Sequence, residues 1–112
     1  MEITFKSKKF AKICNSEKEL VRAYGKTGAE KIRRRLDDLA AASDLDVLRP
    51  PFPGRCHELK QNRDGQLSLD VEQPYRLIFE LSGEDIKYNE NGGLDWKSVK
   101  AVKIIDVENT HD

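Results

Sequence analysis

The chain has 112 residues, enough for one domain with a single modest core and too few for two independent ones, so a single domain spanning 1–112 is expected. Hydrophobic residues make up 38% and charged residues 36%, which excludes global disorder; no apolar run is long enough to cross a bilayer, and residues 1–9 lack the apolar stretch of a secretion signal, so a cytoplasmic protein without membrane partners is expected. The net charge of zero conceals a split, because residues 1–35 carry 11 Lys/Arg against 4 Asp/Glu and residues 36–112 carry 9 against 16: either a basic helical surface meets an anionic partner, or the two halves neutralise each other in the fold.

Residues 2–6 alternate, with Ile3 and Phe5 on one face, which predicts a first strand. Ser7 caps a helix whose apolar stripe is Phe10, Ile13, Cys14, Leu20, Val21 and Tyr24, interrupted at Asn15-Ser16, where Ser16 and Glu19 form a capping box that restarts it. Gly25 ends this helix, since a residue without Cβ adopts left-handed backbone most cheaply. Thr27 with Glu30 repeats the capping pattern, and Ile32, Leu36, Leu39 and Ala40 give a second helix one apolar face ending near Ala42. The two helices make a hairpin. Residues 43–55, with Pro50, Pro51, Pro53 and Gly54, read as a surface loop.

Four strands are predicted beyond it, at 56–60, 66–71, 75–81 and 99–107, with turns at Asp64-Gly65 and Glu72-Gln73-Pro74. Leu67, Leu69 and Val71 share one face of their strand against Gln66, Ser68 and Asp70; Tyr75, Leu77, Phe79 and Leu81 oppose Arg76, Ile78 and Glu80. The sheet thus has a dry face and a wet one. Residues 82–98, rich in Gly and Asn around Trp96, read as an extended hairpin tip outside the core. The expected fold class is α+β: an N-terminal strand and a helical hairpin packed on a twisted antiparallel sheet.

Three residues draw attention as chemistry. His57 lies among Arg55, Lys60 and Arg63, where a polyanion could be gripped and deprotonated, because imidazole exchanges protons near neutrality whereas Lys and Arg only neutralise. A solvated structural histidine is the plainer alternative. Arg76 sits mid-strand opposite the core face, where a planar guanidinium can fork onto a phosphate or simply pair with Asp70 or Glu80. His111, beside Asp106, Glu108 and Asp112, has the carboxylate neighbours that favour an imidazolium suited to general-acid work, or is an inert residue near the chain end. Cys14 and Cys56 have no CxxC partners; reduced thiols are expected, and a zinc site lacks ligands.

The run Pro53-Gly54-Arg55-Cys56-His57-Glu58-Leu59-Lys60, then Gly65-Gln66-Leu67-Ser68-Leu69, then Pro74-Tyr75-Arg76-Leu77-Ile78-Phe79, resembles the HigB branch of the RelE/ParE toxin superfamily. Phe10-Ala11-Lys12, the helix 31–36, Gly93-Leu94-Asp95-Trp96 and the segment 107–111 extend the likeness over most of the chain. The resemblance implies a RelE-like fold and the toxin of a type II toxin-antitoxin system: monomeric when free, restrained by a cognate antitoxin, and cleaving mRNA in the ribosomal A site without metal or cofactor, by attack of a 2′-hydroxyl on the adjacent phosphate. It implies His57, Arg76 and His111 as catalytic residues, with Arg76 stabilising the phosphorane, and Lys60, Arg63 and Asn109 as substrate-binding residues. Many relatives end in Asp-Tyr-His where this chain has Asn109-Thr110-His111, which removes a carboxylate and an aromatic platform and implies reduced activity. Two other functions compete: a ParE-like inhibitor of DNA gyrase, for which the histidines are incidental, and a catalytically weakened module that engages an antitoxin.

Overall fold

The computed structural model describes residues 1–60 and 63–109. In chain order the elements are β1 (Glu2–Phe5), α1 (Lys8–Cys14), α2 (Glu17–Ala41), β2 (His57–Glu58), β3 (Gln66–Asp70), β4 (Tyr75–Ser82) and β5 (Ala101–Asn109), with short 3-10 turns at Leu45–Leu48 and Trp96–Ser98. Two serines start the helices as expected: the Ser7 hydroxyl accepts from the Phe10 N–H at 3.1 Å and the Ser16 hydroxyl from the Glu19 N–H at 3.2 Å. The restart at Ser16 shifts the helical phase, so Leu20 enters the core and Val21, one step round, is left exposed rather than in the stripe.

Gly25 interrupts α2 with φ 78° and ψ 169°, a conformation essentially reserved for glycine. The chain doubles back there, which is why Arg33 Nη1 can donate to the Cys14 carbonyl at 2.9 Å across 19 residues of sequence. The second limb then lays Ala29, Ile32, Leu36 and Leu39 on the sheet, at the spacing of one helical face.

The sheet order is β1-β5-β4-β3-β2. Neighbours joined by hairpins, β2–β3 and β3–β4, are antiparallel, as are β4 and β5, but β1 runs parallel to β5. The sheet is therefore mixed rather than wholly antiparallel: β1 is separated from its neighbour β5 by the helical hairpin and the three intervening strands, so no tight turn dictates its direction. Alternation then sorts the side chains, with Leu67, Leu69, Leu77, Phe79, Val102, Ile104 and Val107 facing the helices. Opposite Ile78 and Phe79 the register jumps from Asp106 to Ile104, leaving Ile105 unpaired in a bulge that bends β5.

Two segments read as surface are core. Leu45 and Leu48 are fully buried; the prolines that follow exclude a strand but leave a short turn free to insert two leucines. In the same way Leu94, Trp96 and Val99 are buried and belong to the main cluster. The segments are stitched together, since the Leu45 N–H donates to the Val99 carbonyl at 3.0 Å and the Arg49 guanidinium lies 4.4 Å from the centre of the Trp96 ring.

Two stability measurements follow from this packing. In urea unfolding, Leu48→Ala is expected to cost about 2–5 kcal/mol by emptying a buried site, whereas Val47→Ala on the exposed side of the same turn stays within about 0.5 kcal/mol. Gly25→Ala is expected to cost about 1–3 kcal/mol through backbone strain alone, because an added Cβ there meets nothing within 4 Å.

Candidate active site on the outer face of the sheet

Residues paired across an antiparallel ladder project to the same side. The register therefore builds the face turned away from the helices in rows: His57, Ser68, Ile78 and Asp106 form one, and Asp70, Arg76 and Glu108 the next. His57 and Arg76 lie two strands and two residues apart, about 12 Å between Cα atoms at ordinary strand spacings. Long side chains from those positions can reach a common phosphate.

The corner that carries His57 is tightly specified. Gly54 has φ 107°, and a Cβ on it would sit 2.9 Å from Arg35 Nε and 3.0 Å from Leu69 Cδ2, so only glycine fits. Its carbonyl accepts from the Asp70 N–H at 2.7 Å. Arg55 follows with φ 47°, the one left-handed residue other than glycine among the described residues. This turn presents the Arg55 carbonyl to His57 Nδ1 at 2.7 Å. A carbonyl can only accept, so the neutral ring carries its proton on Nδ1 and leaves the Nε2 lone pair facing solvent, which is the tautomer of a general base.

Asp70 gathers the cations. Its carboxylate meets Arg55 Nε at 2.6 Å through one oxygen and Arg76 Nε at 3.3 Å through the other, while its backbone carbonyl accepts from Arg35 Nε at 3.0 Å. The expected pairing of Arg76 with Asp70 is thus present, through Nε at 3.3 Å. The hydrogen bond to Asp70 also pushes the Arg55 pKa up, which keeps an already permanent cation charged.

Arg63 forms the second cluster. It forks onto Glu108, with Nη1–Oε1 at 2.9 Å and Nη2–Oε2 at 3.1 Å, and its Nε donates to Gln66 Oε1 at 2.9 Å. A side chain anchored on Gln66 of β3 and Glu108 of β5 must cross β4 near Ile78. The outer face is closed at this centre, with Ser68 and Ile78 fully buried, instead of uniformly wet.

Lys60 is exposed just beyond β2, and Asn109 is exposed at the end of β5 opposite Tyr75. His111 lies outside the described residues. The outer face thus carries His57, Arg63 and Arg76, together with Arg55, which the sequence placed in the same basic cluster, and adds Asp70 and Glu108, which it offered only as charged neighbours. Asp70 on the polar side of β3 and the alternating Asp106 and Glu108 of β5 were the available signal. As for the charge split, Lys31 pairs with Glu72 at 3.5 Å and Arg35 with Asp38 at 3.0 Å, so part of the basic helix is neutralised by the acidic remainder of the chain.

No thiol takes part. Burial pushes Cys14 up to about 11 and Cys56 up to about 12, Arg33 and Arg49 respectively opposing the shift only weakly. Among the described residues no group of three His, Cys, Asp or Glu is arranged to hold a metal, and no helix is long and apolar enough to cross a membrane.

A helical hairpin packed on one face of a small mixed sheet is a RelE-like fold. The solved structure of a YoeB/ParE toxin from Agrobacterium tumefaciens superposes with a TM-score of 0.58, covering 99% of this chain and 100% of that one at 15% identity. Residues 4–93 match the family described as the RelE-like toxin of type II toxin-antitoxin system HigB, and the chain belongs to this HigB-like toxin family. A search of curated proteins gives no match. Membership makes the chain a type II toxin and implies an antitoxin partner.

Thiol reactivity tests the burial of the cysteines. At pH 8 the native protein should resist iodoacetamide and take up two adducts by mass only once unfolded. Because both folded pKa values lie above the ordinary 9.0, the stability due to the protonated thiols is complete below pH 9.0 and should fall as the pH rises through about 11.

Proposed function

We propose that this toxin is a ribosome-dependent endoribonuclease that cleaves mRNA in the A site. The observation that carries the proposal is the Nδ1–H of His57 bound to the Arg55 carbonyl, which leaves Nε2 basic on the same sheet face as the Arg76 guanidinium.

In this reaction His57 Nε2 takes the proton of a ribose 2′-hydroxyl. The 2′-oxygen attacks the adjacent phosphorus, and Arg76 stabilises the charge that gathers on the phosphorane oxygens. The bond to the 5′-oxygen breaks and that oxygen leaves with a proton from His111, giving a 2′,3′-cyclic phosphate and a 5′-hydroxyl. Lys60 and Arg63 hold the backbone, and Asn109 hydrogen-bonds the substrate where many relatives carry Asp. The antitoxin restrains this activity in the cell.

Mapping mRNA 5′ ends after induction tests the proposal. The parent chain should produce ends locked to the reading frame, and His57→Ala should reduce them about a hundredfold or more while leaving the folded protein intact, since this side chain is exposed. Frame-independent ends, or undiminished cleavage by His57→Ala, would refute it. Induction of the DNA-damage response before translation stops would point to gyrase poisoning, and harmless expression without the antitoxin to a binding module.

A further inference from the structure

We infer that Arg55 and Arg76, tied through their Nε atoms to the two oxygens of Asp70, form a two-pronged receptor for consecutive phosphates of single-stranded RNA, with Arg76 on the scissile phosphate and Arg55 on its neighbour. The inference rests on the proposed nuclease for the identity of the anion as RNA backbone. It adds Arg55 as a binding residue and Asp70 as the positioning residue.

Three observations carry it. First, the contacts of Arg55 and Arg76 to Asp70 at 2.6 Å and 3.3 Å are made by Nε, and among the described residues no Nη group of either arginine hydrogen-bonds Asp70. That leaves the paired Nη groups of each guanidinium, the edge that forks onto phosphate, without a hydrogen bond to the carboxylate. One carboxylate thus holds two such edges a few ångströms apart and cancels only one of their two charges.

Second, Asp70 Oδ1 is buried and has no well-formed hydrogen bond among the described residues, only the long contact to Arg76. A carboxylate oxygen so placed has room for Arg76 to tighten onto it when phosphate draws the guanidinium into register. Third, Arg55 keeps a backbone of φ 47°, where glycine or asparagine is easier to accommodate. A long cation retained in strained backbone, with a side chain 65% exposed, is explained by what its head group binds rather than by packing.

The test uses the free toxin and a fluorescent single-stranded all-2′-deoxy hexanucleotide, which lacks the nucleophile, so binding is read whether or not the chain cuts RNA. The parent should bind saturably at low salt. Arg55→Gln should weaken binding about tenfold and flatten the slope of log K against log salt by about 0.7, the signature of one lost phosphate contact on a single strand.

Arg55→Gly, whose backbone suits φ 47° better than the parent's, offsets part of the lost pairing to Asp70 by relieving strain, and with Arg76 still against that carboxylate it should stay folded by circular dichroism while losing the same affinity, which separates lost contact from misfolding. Asp70→Asn leaves one more uncancelled charge, so its salt slope should not flatten; with the prongs unfixed, its preference for the hexanucleotide over inorganic phosphate should nevertheless fall. Asp70→Glu should restore part of that preference. Unchanged affinity and slope in both Arg55 variants would overturn the proposal, as would the absence of saturable binding by the parent. Equal affinity for an oligo-glutamate of matching charge would overturn the assignment to RNA.

Discussion

Asp70 is the point at which the helical hairpin, the glycine corner and the sheet are joined. Its carboxyl side chain is only 16% exposed, and a carboxylate so far out of water is tolerable only with cations against it. Arg55 and Arg76 supply them, while Arg35, reaching down from α2, takes the backbone carbonyl of the same residue. Stripping the partners away would leave a largely buried charge uncompensated, at a cost of about 3–5 kcal/mol. The positions of the two guanidiniums on the outer face are thereby coupled to the packing of the helix on the inner one. The corner enforces the same coupling from its side, since a side chain at Gly54 would displace Arg35 and with it the bond to Asp70.

The second constraint is the span of Arg63. By forking onto Glu108 it ties the β2–β3 connection to β5, across β4. The carboxylate of Glu108 occupies the geometry in which an arginine receives phosphate. A polyanion on this face would therefore compete with Glu108 for Arg63, whereas among the described residues no carboxylate forks onto Arg76, whose contact to Asp70 is through Nε at 3.3 Å. The face is graded, with one guanidinium beside Asp70 held by a single long contact and another closed by a fork onto an internal carboxylate. If the proposed nuclease reading holds, this grading would favour an extended chain of phosphates over a single ion.

Much of this was legible in the sequence. Strict alternation over residues 66–81 fixes which side of β3 and β4 carries Asp70 and Arg76, and the Ser7 and Ser16 caps mark the helix starts to the residue. The position of Gly25 at the reversal follows from its missing Cβ. Other features had no local signal. Leu45 and Leu48 sit in a single 3-10 turn, too short to display a period, and the prolines beside them mask their burial. Trp96 reads as a loop residue because its partners, Arg49 and the Leu45 turn, are remote in sequence. The parallel direction of β1 depends on which edge the hairpin leaves open. The Asp70 cluster needs the register of three strands and a left-handed Arg55, neither of which composition reveals, and His111 lies beyond the described residues.

The central claim is that one phosphodiester is met on the outer face by the imidazole of His57 and the guanidinium of Arg76. The most direct measurement is a structure of the toxin in the ribosomal A site with mRNA carrying a 2′-O-methyl group at the scissile nucleotide. The account predicts a phosphate oxygen within hydrogen-bonding range of the Arg76 Nη atoms and His57 Nε2 turned toward the blocked 2′-oxygen. An mRNA backbone lying instead along the helical hairpin, with the outer face turned away from it, would contradict the account.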